Sequence, residues 1–135
     1  MVERHHADLR ALAERCEMAE GPDRALDFMI LKRVRGLRDL GSGLYEMDNH
    51  YYALEDDDPD ERHPPFPRVT ASVDRALGLV PSGFSVRMGT RGWAEIIRSQ
   101  PHRFISTHAA TLPLALCAAA LRVRATEQDT PDAPR

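Results

Sequence analysis

Leu9, Leu12, Ala13 and Cys16 recur at i, i+3, i+4 and i+7, the spacing of one helix face, which predicts a helix over residues 7–20 that Gly21 is placed to end. Pro22 suits the first turn of a second helix, where its missing N–H has no acceptor, and Asp23 sets negative charge near the positive dipole end. Leu26, Met29, Ile30 and Val34 then mark the apolar stripe of that helix. The connection is so short that the two helices form either a hairpin or one bent pair.

Between Leu44 and Leu54 the helical period fades, and Tyr45, Tyr51 and Tyr52 near-alternate with polar residues, a strand pattern with a break near Asp48-Asn49. Residues 55–67 combine six acids with Pro59, Pro64, Pro65 and Pro67, which remove backbone donors and predict an exposed loop. Thr70 is placed to cap a helix faced by Val73, Ala76, Leu77 and Val80, with Asp74 in its first turn and Pro81-Ser82-Gly83 at its end.

Phe84, Val86 and Met88 alternate with Ser85 and Arg87, and after Gly89-Thr90-Arg91-Gly92 a second apolar stretch runs from Trp93 to Ile97, the signature of a β-hairpin. Gln100 to Thr107 reads as a loop or short strand. A last helix near residues 108–125 has Leu112, Leu114, Leu116, Cys117, Leu121 and Val123 among alanines, apolar around much of its circumference. Such a helix packs centrally. Pro113 fits it in the first turn, with Thr111 as cap, or else marks a local kink.

These elements predict an α+β domain over residues 1–125: two N-terminal helices, a central one, a small antiparallel sheet of three to four strands, and a packed C-terminal helix. Residues 126–135 have nothing to bury and read as a disordered tail. At 135 residues and 42% hydrophobic, the chain suffices for one core but not for two.

The net charge of −3 is ordinary, but six acids fall within residues 55–61, leaving eighteen basic against fifteen acidic residues elsewhere. The acidity is local. Cys16 and Cys117 lie inside apolar helical patterns and form no CxxC pair, so a reducing cytoplasm fits them. The first ten residues lack the apolar stretch of a secretory signal, and no run approaches the length of a membrane span.

Candidate chemistry follows from these placements. The acids Asp56, Asp57, Asp58, Asp60 and Glu61 with His63 have the oxygen density of a hard-cation site but not the glycine and ligand spacing of an EF-hand. They read as a solvated loop or one that docks on a basic partner. His5, His6, His50, His102 and His108 show no HExxH spacing, and His108, beside Ser106, Thr107 and Thr111, falls at the start of the last helix as a capping residue. No GxSxG elbow or phosphate loop is present, and Cys117, in the middle of an apolar helix, is a poor nucleophile. Neither a catalytic set nor a cofactor is therefore expected.

The strongest binding candidate is the hairpin region: Arg87, Arg91, Arg98 and Arg103 with Trp93, His102 and Phe104, where four arginines face one acid, Glu95. Arginine beside an aromatic anchors protein interfaces, or contacts phosphates and stacks on bases. On helix two, Asp23 and Asp27 followed by Lys32, Arg33, Arg35 and Arg38 match the macrodipole; a nucleic-acid contact is the lesser reading of that gradient.

Three segments, GPDRALD at 21–27, TASVDRALGLVPSGF at 70–84 and HAATLPLALCAAALR at 108–122, resemble small phage and prophage proteins of the phage ABA sandwich domain type. The resemblance implies a central helix entering a short antiparallel sheet and an alanine-rich last helix packed on it, in helix, sheet, helix layers. It is segmental: Pro113 is displaced by one position and residues 44–67 have no counterpart. It implies no activity. A phage origin points instead to a binding protein that engages a host protein or ribonucleoprotein, most sharply an anti-CRISPR-like or other inhibitor of a host defence complex. The alternatives are an oligomeric nucleotide-sequestering protein, with arginines and Tyr51 or Tyr52 lining a pocket between protomers, and a nucleic-acid-binding protein using Arg87, Arg91 and Arg98.

Overall fold

The computed structural model describes residues 2–53, 64–99 and 102–129. They form α1 (Val2–Met18), α2 (Arg24–Arg35), β1 (Arg38–Gly41), β2 (Leu44–Met47), β3 (His50–Ala53), α3 (Val73–Leu77), β4 (Ser85–Gly89), β5 (Trp93–Ser99), β6 (His102–His108) and α4 (Leu112–Asp129). The α+β class holds. The strands divide between two antiparallel sheets of three, β1-β2-β3 and β4-β5-β6.

α4 lies at the centre. Every residue from Leu114 to Leu121 is fully buried, because α4 packs on α1 from one side and on β4, β5 and β6 from the other, with α3 alongside. An all-round apolar helix requires that double cover. The layer order is thus helix, helix, sheet: α4, not the sheet, is the middle layer, and among the described residues no element packs on the far face of β4-β5-β6. Small side chains set the spacing, since Ala13 and Cys16 on α1 and Ala94 on β5 are buried against a helix rich in alanine. At the edge of the α1–α4 contact, Arg122 donates to both carboxylate oxygens of Glu17, at 2.9 and 2.6 Å.

Asp23 caps α2, accepting the Leu26 N–H at 3.1 Å, so Pro22 precedes the helix and does not open its first turn. The β1-β2-β3 sheet packs beside α2 through three edge-to-face rings, Phe28, Tyr45 and Phe66, with centroids 5.0 to 6.3 Å apart. β2 and β3 are joined by Asp48-Asn49 at positive φ, the residues best suited to that turn. This turn is the break expected near Asp48-Asn49.

Three local expectations change. Ser72, not Thr70, caps α3, accepting the Arg75 N–H at 3.2 Å; Thr70 is buried and bonded elsewhere. His102–His108 is a full edge strand paired along its length with β5. α4 runs on through Asp129, so residues 126–129 continue the helix and are not tail. Thr111 accepts the Leu114 N–H at 3.4 Å, with Pro113 in the first turn as expected. Among the described residues no helix is long and apolar enough to cross a membrane.

Candidate functional site

Strand parity sorts the predicted hairpin residues onto two faces. Val86, Ala94, Ile96, Ile105 and Thr107 turn toward α4, and cross-strand pairing places Arg87, Glu95 and Ser106 in one row of the opposite face, Ser85, Ile97 and Phe104 in the next. Gly89, Trp93 and His108 form a third row at one end, Ser99 and His102 a fourth at the other. The open face therefore has Trp93, Ile97 and Phe104 among polar residues, with the Arg87, Glu95 and Ser106 row between Trp93 and the other two. Phe104 is 50% exposed.

Trp93 faces outward. Its indole lies across the backbone of Gly89, where a Cβ would overlap the ring, so the missing side chain at Gly89 lets the indole lie against its neighbour strand. Arg87 sits 3.8 Å from Glu95 in the adjacent strand, and Arg91 is exposed in the turn between β4 and β5. Arg87 and Glu95 offset each other, leaving a nearly neutral, aromatic face.

Arg98 and Arg103 do not belong to it. Arg98 shares the face of Ala94 and Ile96, where it donates to both carboxylate oxygens of Glu127 on α4 at 3.0 and 2.9 Å and lies over the Phe84 ring at 4.7 Å. Arg103 approaches the same carboxylate at 3.8 Å. The two arginines thus tie the end of α4 to the sheet, on the face away from Trp93 and Phe104. Arg98→Ala is expected to lower stability by about 1 kcal/mol, the scale of a partly exposed bidentate pair, readable in urea denaturation.

Asp56, Asp57 and Asp58, with Asp60, Glu61 and His63, lie outside the described residues, as do the side chains of His5 and His6. His108 ends β6 and is exposed, which corrects its place at a helix start. Tyr51 is exposed on β3, whereas Tyr52 packs against the core. Among the described residues no three His, Cys, Asp or Glu side chains come together to hold a metal ion. No family model, curated protein or solved structure matches the chain.

Cys117 is not a nucleophile in this setting. Its thiol donates to the Val69 carbonyl at 3.2 Å, and its pKa is held well above the ordinary value by hydrogen bonding with Cys16, then by burial and the charges of Cys16 and Asp27. Both cysteines are free.

A buried polar centre lies close by and has no counterpart among the predicted functional residues. Asp27 is 0% exposed; its Oδ1 accepts the Thr70 N–H at 2.7 Å and the Thr70 hydroxyl at 2.6 Å. Its Oδ2 meets Arg24 at 3.4 Å and Arg68 at 3.8 Å. Thr70 Oγ1 in turn accepts the Asp23 N–H at 2.9 Å. This network staples the start of α2 to the segment entering α3. Its role is architectural, because both oxygens are committed to internal donors.

Proposed function

We propose that this chain is a non-catalytic binding protein that engages a host protein through the open face of β4-β5-β6. The observation that carries the reading is the composition of that face: a half-exposed Phe104 with Trp93 and Ile97, beside an Arg87–Glu95 pair that leaves little net charge. Apolar and aromatic centres ringed by polar groups suit desolvation against a protein. Nucleic acid asks for more uncompensated charge than Arg91 adds to a face whose Arg87 is paired with Glu95 and from which Arg98 and Arg103 are turned away. The resemblance of the three segments to phage proteins extends the proposal: a phage or prophage accessory protein whose sharpest role is inhibition of a host defence complex, CRISPR effectors among them.

The test is capture from a bacterial host, followed by titration of the purified partner against variants. Phe104→Glu is expected to weaken that complex at least tenfold while leaving thermal stability unchanged, because the side chain is already half in water. Arg98→Ala, which alters the other face, is expected to leave affinity unchanged. Equal affinity for the wild type and Phe104→Glu overturns the surface assignment, and affinity that falls steeply with salt points to nucleic acid instead.

A further inference from the structure

β6 is the outer strand of its sheet, seven residues long, and its pairing with β5 runs without a bulge from end to end. One bond just beyond the strand fixes which of its backbone groups are left over. The Ala109 N–H donates to the Gly92 carbonyl at 2.8 Å, so residues 92 and 109 form a hydrogen-bonded pair, and such pairs alternate along an antiparallel ladder. Arg103, Ile105 and Thr107 therefore spend their N–H and C=O on β5. His102, Phe104, Ser106 and His108 turn theirs to the outer edge, where among the described residues no strand follows.

Sheet edges are normally shortened, kinked or covered, and the other three edges of the two sheets are. β1 has four residues and a bulge. The end of β3 is taken up by Pro64, whose carbonyl accepts the Ala53 N–H at 2.9 Å. β4 is five residues long and by the same alternation offers only Val86 and Met88 outward. β6 has no proline, lysine or bulge. Its one blunting device is Arg103, which donates to the His102 carbonyl at 3.0 Å and takes one of that oxygen's lone pairs, leaving the other.

We propose that two copies of this chain pair antiparallel through β6, joining their β4-β5-β6 sheets into one of six strands. A two-fold axis at Ile105 sets His102 against His108 of the second copy and Phe104 against Ser106. This register uses every outward group of the strand, whereas a slip by two residues leaves one unpaired at an end. Side chains and charge fit it as well. Phe104, 50% exposed in the single chain, meets Phe104 of the second copy on the diagonal across the axis, within reach of an aromatic pair. Arg103, the one arginine or lysine of β6, stands opposite Thr107 and not opposite another base. The contact runs along the edge and not over the face assigned to a host protein, so it does not rest on that reading.

Sedimentation of the full chain over a concentration series, with amide hydrogen exchange at its two ends, tests the proposal. The mass is expected to rise from 15.2 kDa to twice that value. The N–H groups of Phe104, Ser106 and His108 are expected to exchange roughly tenfold more slowly in the concentrated sample, while that of Ile105, already bonded to β5, is protected in both. Ser106→Pro removes an outward donor, and Ser106→Lys sets like charges across the axis without touching the bonds to β5; each is expected to weaken the dimer roughly tenfold. Met88→Pro makes the same change on the outer row of β4 and is expected to leave the dimer intact. A mass of 15.2 kDa at millimolar concentration overturns the proposal. So does a dimer whose Phe104 and Ser106 amides stay unprotected, or one that Met88→Pro alone dissociates. None of these outcomes bears on the open face, whose readout is affinity for the captured partner.

Discussion

Asp27→Ala is expected to cost about 3 kcal/mol of folding stability at neutral pH, enough to lower the melting temperature by on the order of 10 °C in a chain of this size. The carboxylate is the common acceptor for the Thr70 N–H, the Thr70 hydroxyl and the guanidinium of Arg24. Alanine removes the acceptor and leaves the donors where water does not replace it, which is costlier than losing a bond whose partners both reach solvent. Arg24 also stacks over Phe66 at 3.8 Å, so its release loosens the ring cluster that holds the first sheet. Thr70→Val offers a smaller version: it removes the hydroxyl but keeps the N–H bond, and about 1–2 kcal/mol is expected.

The same carboxyl makes stability depend on pH with a definite sign. Burial pushes the Asp27 pKa up, against the opposing pull of the Thr70 hydrogen bonds and Arg24. A carboxyl whose pKa is higher folded than unfolded holds its proton more tightly in the fold. Its contribution is full below the ordinary aspartate value of about 4 and is lost as pH rises through the folded value. Asp27→Asn has no such proton, so the stability of the wild type relative to it is expected to grow as pH falls from neutral. Denaturation midpoints of both proteins across that range check the sign; a difference that shrinks on acidification shows that the ionised form is the one the fold prefers.

Much of the scaffold was legible because local chemistry and tertiary need agree. Leu9, Leu12, Ala13 and Cys16 mark a helix face and do face the core; Asp48-Asn49 turn the chain; an all-round apolar α4 is central. β1 was not readable, since all four of its residues are exposed and it has no alternation to see. Thr70 and Ser72 are equally good caps by type, and only the position of Asp27 across the fold decides that Thr70 is used elsewhere. A helical wheel does place Asp27 with Ile30 and Leu31, on a face that becomes buried, but its partner lies 43 residues away.

The candidate surface divides in the same way. Parity puts Arg98 with Ala94 and Ile96, on the face turned inward, once a strand is assumed there. What the local pattern lacks is Glu127, 29 residues beyond Arg98 and inside the stretch expected to be tail. Trp93 and Phe104 belong to the open face only because β6 pairs fully with β5, and the loop-or-strand ambiguity of 100–107 hid that register.

Gly92→Ala is expected to be about as damaging, near 3 kcal/mol, for two separable reasons. Gly92 sits at φ +73°, where a side chain costs roughly 1–2 kcal/mol of backbone strain. In addition, the new Cβ would overlap the backbone carbonyl oxygen of Ala109, which has no flexible end to swing away. Ala109 is held there by its own N–H, which donates to the Gly92 carbonyl at 2.8 Å, so the turn before β5 and the exit of β6 are clasped together. Gly43→Ala separates the two effects: Gly43 has a similar φ, +79°, but nothing within 4 Å of an added Cβ, and only the strain is expected, about 1 kcal/mol. Equal losses at the two positions in urea denaturation would show that the clasp on Ala109 is slack. A larger loss at Gly92 has a functional corollary, because Trp93 follows it directly and pairs with His108. Forcing Ala109 away moves both ends of that pair, so Gly92→Ala is expected to weaken partner binding beyond what its folded fraction explains, whereas Gly43→Ala, in the other sheet, leaves affinity intact.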